Sequence, residues 1–158
     1  MNRSRISGFT MHDDSGHAIL KKDWLSWVNK HGGPGDFGVT TSYSWYVDGS
    51  YIKVSVDISR VRWRELPDES GFICFESEFV ENNCVVLDAY GVERYRLKVP
   101  LELTPYDVPP EAKRWFRGPS THPDGKYGVI AWIEYAGDFY FELDYHEGRF
   151  LWGKEIRY

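Results

Sequence analysis

From position 37 onward the chain takes up a period of two. In "YIKVSVDI", residues 51 to 58, the apolar Ile52, Val54, Val56 and Ile58 alternate with Tyr51, Lys53, Ser55 and Asp57. That spacing marks a strand with one face buried. Just before it, "VDGS" at 47 to 50 supplies the Asp-Gly pair of a tight hairpin. Alternation recurs at 60–66, 72–80, 84–88, 92–99, 127–135, 138–145 and 149–157, which predicts successive antiparallel strands on short loops. Earlier in the chain the spacing is helical. Trp24, Leu25, Trp27 and Val28 in "KKDWLSWVNKH" share one face of a short helix over 21–31, and Gly32 stops it. The following "GGPGDFG" lacks the Lys and Ser/Thr of a phosphate-cradling loop and reads as a linker.

The strands pause between 100 and 126. Pro100, Pro105, Pro109 and Pro110 argue against a central strand, and "PPEAKRWF" predicts a short helical turn near 110–116. "HPDGKY" then turns the chain back. The expected architecture is mainly β, of the α+β kind, in one globular domain over 1–158. Its antiparallel meander forms a strongly bent sheet or small barrel, with one short N-terminal helix.

Matching apolar faces predicts the pairing, because a slip of one residue swaps the two faces. Trp63 falls opposite Phe75 and Val61 opposite Ser77 across a loop at 67–71. Phe79 faces Val85 and Ser77 faces Leu87 across 81–83, while Val85 faces Tyr95 and Val86 faces Arg94 across 89–91. The register then sets Arg62 against Glu76 and Arg60 against Glu78, with outer rows running Arg60, Glu78, Val86, Arg94 and Arg62, Glu76, Asp88. "RVRWRE" and "RYRLK" look like basic strands with interleaved rings, yet this register turns Trp63 and Tyr95 to the core. With no stacking platform and with carboxylates beside the arginines, a nucleic-acid partner is not expected.

Two segments echo each other: "FVENNCVVLDAYGVERY" at 79–95 and "YAGDFYFELDYHEGRFLW" at 135–152. Each carries an Asp (Asp88, Asp144), then a Gly (Gly91, Gly148), then a ring (Tyr95, Trp152). Asp at a strand end accepts bonds from turn N–H groups and Gly supplies a positive φ, so the echo predicts two similar hairpins. Locally the unit resembles half a blade of a β-propeller, but a propeller needs about four blades of roughly 40 residues, more than this chain offers.

Composition changes this picture in two places. Rings make up 17% of the chain, so rigid aromatics fill much of the core and reach the surface. The formal net charge of -5 disfavours nucleic acid and anionic membranes and attracts a basic partner. No run approaches the roughly 18 apolar residues of a membrane span, and the first residues lack the apolar stretch of a signal peptide, so a cytoplasmic chain is expected. The predicted register leaves Cys74 and Cys84 about 20 Å apart along the sheet, as free thiols.

The candidate chemistry is thin. His12 and His17 in "HDDSGH" are too poorly phased to ligate one metal and read as a polar turn. His122 and His146 belong to turns expected to be exposed, and His31 ends the helix. No metal site, cofactor or catalytic motif is expected. The most that can be assembled for catalysis is a group drawn from Asp57, Asp88, Asp144 and His146.

Binding residues are therefore sought in the long 105–121 segment, "PYDVPPEAKRWFRGPST". Trp115, Phe116, Arg114, Arg117, Asp107 and Glu111 form the expected partner-binding set, since Trp and Arg often dominate interface energy. The sequence reads as a non-catalytic protein-binding domain, in its most concrete form an immunity protein or antitoxin that neutralises a basic toxin. The alternative is a small-molecule- or sugar-binding β-barrel with a ring-lined cavity, extending to a hydrolase or lyase. Nothing in the sequence fixes the oligomeric state.

Overall fold

A computed structural model describes residues 4–57, 61–122 and 124–157. The described residues form twelve strands and one α-helix: β1 (Ile6–Asp13), β2 (Ala18–Leu20), α1 (Trp24–His31), β3 (Thr40–Val47), β4 (Ser50–Ser55), β5 (Val61–Glu65), β6 (Gly71–Glu76), β7 (Cys84–Asp88), β8 (Glu93–Leu97), β9 (Arg114–Thr121), β10 (Tyr127–Ile133), β11 (Gly137–Asp144) and β12 (Arg149–Glu155). The chain is mainly β and antiparallel, as its alternation predicts. The strands are divided among three four-stranded sheets, ordered β2-β1-β3-β4, β5-β6-β7-β8 and β12-β11-β10-β9, rather than carried through one bent sheet or a barrel.

Two compact units share the chain. The first holds the described residues up to Phe72 together with Asp88–Val92; the second holds Ile73–Leu87 and the described residues from Glu93 onward. In the first unit, Trp45 is fully buried, and the rings of Phe9, Trp63 and Phe72 pack on it at 6.3, 5.6 and 4.7 Å between centroids. Its indole N–H donates to the Ala89 carbonyl at 2.7 Å, so the polar atom of this ring is satisfied inside the core. Gly91, at φ 79°, passes close beneath: a Cβ there would meet the Trp45 ring at 3.3 Å. Helix α1 ends at Gly32, which is left-handed at φ 67° and donates to the Val28 carbonyl, as the sequence predicts.

In the second unit Phe116, Val129, Ala131, Ile133, Phe139 and Phe141 fill the core without measurable exposure. Asn83 is buried with them. Its side chain acts as a short strand partner for β9, accepting from Phe116 N at 2.7 Å and donating to Phe116 O at 2.9 Å. Cys74 and Cys84 are buried free thiols, and burial pushes both thiols up. Among the described residues no helix is long and apolar enough to cross a membrane.

Several expectations need correction. Strand β1 was not predicted, because a bulge at Ser7–Thr10, with Gly8 at φ 64°, breaks its alternation. The stretch 100–126 contains strand β9, and Pro119 fits within it because β9 is an edge strand, where a missing N–H costs no ladder bond. The helical turn expected near 110–116 is a tight turn closed by Ala112 N on Pro109 O; the helical residues lie earlier, as a 3-10 turn at Leu101–Leu103.

The predicted registers also shift. Gly71 begins β6 and closes onto Leu66, so it does not belong to the preceding loop. Glu76 N donates to Asn83 O at 2.7 Å, which makes 77–82 the second turn and removes Phe79 and Ser77 from strand pairing. At the third turn Leu87 faces Glu93 as predicted, but a bulge then sets Val86 against Tyr95 and Val85 against Arg96. The reason is common to the first two. Residues 71–75 of β6 and 84–87 of β7 are buried on both faces, so alternation carries no register information there. Glu76 meets Arg96, at 2.6 Å, rather than Arg62. The expected positions of Ile58 and Arg60 lie outside the described residues.

Candidate binding groove

The second unit carries a ladder of three rings, two half-buried and one exposed. Trp115 and Trp132 are cross-strand partners in β9 and β10, and their rings stack at 4.5 Å with an interplanar angle of 28°. Phe79 lies over Trp115 at 4.8 Å. It comes from the turn after β6, holds a positive φ of 70° and is 78% exposed. A bulky residue in the left-handed region costs about 1–2 kcal/mol, and an exposed ring does not return that through burial.

Beside this ladder runs a groove of about 320 Å3, lined by Phe79, Glu81, Glu111, Lys113, Arg114 and Trp115 together with Pro110 and Ala112. Arg114 is locked in place. Its guanidinium pairs with Glu81 at 2.9 Å and donates to the carbonyls of Pro110 and Ala112. Glu134 accepts from Lys113 N at 3.2 Å. Beyond the ladder, Arg117 pairs with Asp138 at 3.1 Å and with Glu78 at 3.7 Å. Glu78, Glu81, Glu111, Glu134 and Asp138 stand against Lys113, Arg114 and Arg117, which leaves two negative charges in excess.

Of the expected binding set, the structure brings Arg114, Trp115 and Glu111 together on this groove. Arg117 is exposed on the same strand, and Asp107 is exposed in the preceding loop, outside the groove lining. Phe116 is a correction: it is fully buried and stacks on Phe150 at 5.8 Å, because side chains alternate along β9 and its neighbours Trp115 and Arg117 take the outer face. Phe79, Glu81 and Trp132 were missed. The signal for Phe79 was present in "EFVENN", where an aromatic between acids runs into a turn-forming Asn pair.

The residues considered for catalysis have other duties. Asp88 accepts from the N–H groups of Tyr90 and Val92, and Asp144 from those of His146 and Glu147. Gly91 and Gly148 hold positive φ in the same two turns, so the echoed segments are two hairpins of one design. Asp13 is similarly engaged. Its buried carboxylate accepts from the N–H groups of Ser15, His17 and Gly38 and meets the His17 ring at 2.8 Å. Burial raises this carboxyl, but those four partners together pull it well below the usual carboxylate range. His12 Nε2 lies 2.6 Å from Ser44 Oγ, beneath the surface of the first sheet. Among the described residues no cluster of three or more His, Cys, Asp or Glu side chains could hold a metal ion.

No family model matches the chain, and no curated protein matches it in sequence. Among solved structures, a chain in the structure of Tne2 in complex with Tni2 is similar in fold, with a TM-score of 0.72 at 12% identity, over 96% of this chain and 99% of that chain.

Proposed function

We propose that this chain is a non-catalytic protein-binding domain of the immunity type, which neutralises a basic toxin by seating it on the Phe79–Trp115 groove. The carrying observation is Phe79, held outward on a positive φ over a stacked Trp pair. Unfavourable backbone geometry held at an exposed ring motivates a hypothesis of function. Rings flanked by Arg and carboxylates have the composition of interface hot spots, and the local negative excess steers a cationic partner toward them. The similar chain noted above comes from a complex of two named proteins, which supports a protein partner here. A cytoplasmic location and the lack of a nucleic-acid partner belong to the same proposal. The ring-lined cavity of the alternative reading finds no support in the core of the second unit, which is filled by Phe116, Phe139 and Phe141.

The test is capture from the native cell with wild-type and Phe79→Ala baits, followed by a salt titration of the complex. The expected result is one basic protein, bound by the wild type, weakened by salt and lost from the variant. A complex indifferent to Phe79→Ala, or a retained metabolite with no protein, overturns the proposal.

A further inference from the structure

A second concavity lies on the outer face of the β9–β12 sheet, about 600 Å3 in volume and lined by Ser120, Thr121, His122, Tyr140, Lys154, Glu155, Ile156 and Arg157. Its size is that of a small-molecule site rather than of a single side chain. Its walls are fixed. Tyr140 lies across Gly128, where a Cβ would come within 2.6 Å of the ring, and its hydroxyl donates to Lys126 O at 2.8 Å. The His122 ring packs on Tyr140 at 5.4 Å and edge-on to Trp152 at 5.2 Å. Its Nδ1 lies 2.8 Å from Asp124 Oδ1, which sets the ring orientation. Trp152 is held in turn by its own N–H bond to Glu142 at 2.9 Å.

The lining side chains carry two cations and one carboxylate, with the carboxylates of Asp124 and Glu142 standing behind His122 and Trp152. Lys154 and Arg157 are cationic, and Glu155 is the one carboxylate among the lining residues. Glu155 is already engaged, accepting from the Tyr106 hydroxyl at 2.7 Å and meeting Arg157 at 3.5 Å. Lys154 has no carboxylate partner among the described residues. Two hydroxyls, Ser120 and Thr121, add neutral donors at the rim, and a flat ring forms one wall.

We propose that this pocket binds a small organic anion, a carboxylate or phosphate ester carried on a flat apolar body, which lies against the His122–Tyr140 wall while its charged end meets Lys154 and the hydroxyls of Ser120 and Thr121. The site is separate from the partner groove and does not rest on the function proposed above.

Titration of the 15N-labelled protein with phenyl phosphate, benzoate and the neutral benzyl alcohol tests it. Both anions are expected to shift the amides of Ser120, Thr121 and Lys154 and the indole of Trp152, with dissociation constants on the order of millimolar for ligands of this size. A response to only one anion assigns the site to that class. Lys154→Gln, an exposed position, is expected to weaken anion binding about fivefold, the worth of one surface charge, and His122→Phe to weaken it while keeping the ring wall. Equal binding of benzyl alcohol, unchanged affinity in Lys154→Gln, or no shift by any of the three compounds overturns the proposal.

Discussion

Around Trp45, four rings close on one another in the first unit; on the second, Trp115 and Trp132 stack half-buried with Phe79 exposed over them. The residue types are alike, yet Trp45 is 0% exposed and Phe79, carried on a turn, is 78% exposed. The buried set gains from area removed from water and from a satisfied indole. Phe79 gains little of either and occupies strained backbone. The first cluster is what the fold is built on. The second is what the fold displays, and each can be altered without the other.

The largest expected effect lies in the first cluster. Trp45→Ala removes a fully buried ring in contact with Phe9, Trp63 and Phe72 and is expected to cost about 3–5 kcal/mol of stability, read from the urea midpoint at constant slope. Partner affinity per folded molecule should hold. Phe79→Ala should do the opposite. Its affinity is expected to fall by about 2 kcal/mol or more, as for an interface anchor, while stability stays within about 0.5 kcal/mol. If both variants lose stability alike, the distinction between built-in and displayed rings fails.

How much of this was legible in sequence differs between the two regions for a physical reason. Ile52 and Val54 were read from alternation because β4 has one wet face, with burial alternating along it. Trp63 was correctly turned inward by the same logic, since Arg62 and Arg64 are exposed beside it and its ring meets Trp45 at 5.6 Å. In β6 and β7 both faces are dry, so every register fitted equally well and the turn at 77–82 was placed too late. That error hid Phe79, which was assigned to a strand. Trp115 entered the expected set because it stands among prolines and arginines in a segment with no apolar period. Phe116 was misread for the same reason, since β9 itself was unseen. Side-chain networks such as the Asn83 clamp on Phe116 join residues far apart in sequence and leave no local trace.

A smaller effect separates the regions by pH. Asp13 belongs to the unit that holds Trp45, and its carboxyl is shifted down by three backbone N–H groups and the His17 ring, against the opposing pull of burial. A folded-state value below the unfolded one, about 3.9, means that the stabilisation is complete above that pH and is lost as pH falls through the folded value. Lowering pH below about 4 should therefore weaken the first unit through this group, and Asp13→Asn should flatten that acid dependence of the urea midpoint. An unchanged acid limb in the variant would show that Asp13 does not couple to folding.

The finest test returns to Phe79, with glycine instead of alanine. Its positive φ costs a side chain about 1–2 kcal/mol, and glycine removes that strain. Against this stand the larger unfolded-state entropy of glycine, about 0.4–1 kcal/mol, and the lost contact with Trp115, which is worth little for a ring so exposed. Phe79→Gly is therefore expected to leave stability unchanged or raise it by up to about 1 kcal/mol, while partner binding falls as far as in Phe79→Ala. Equilibrium unfolding and binding measured on the same preparation decide it. A loss of more than about 1 kcal/mol would mean that the fold itself needs this ring, and the strain at Phe79 would then be a structural cost with no bearing on recognition.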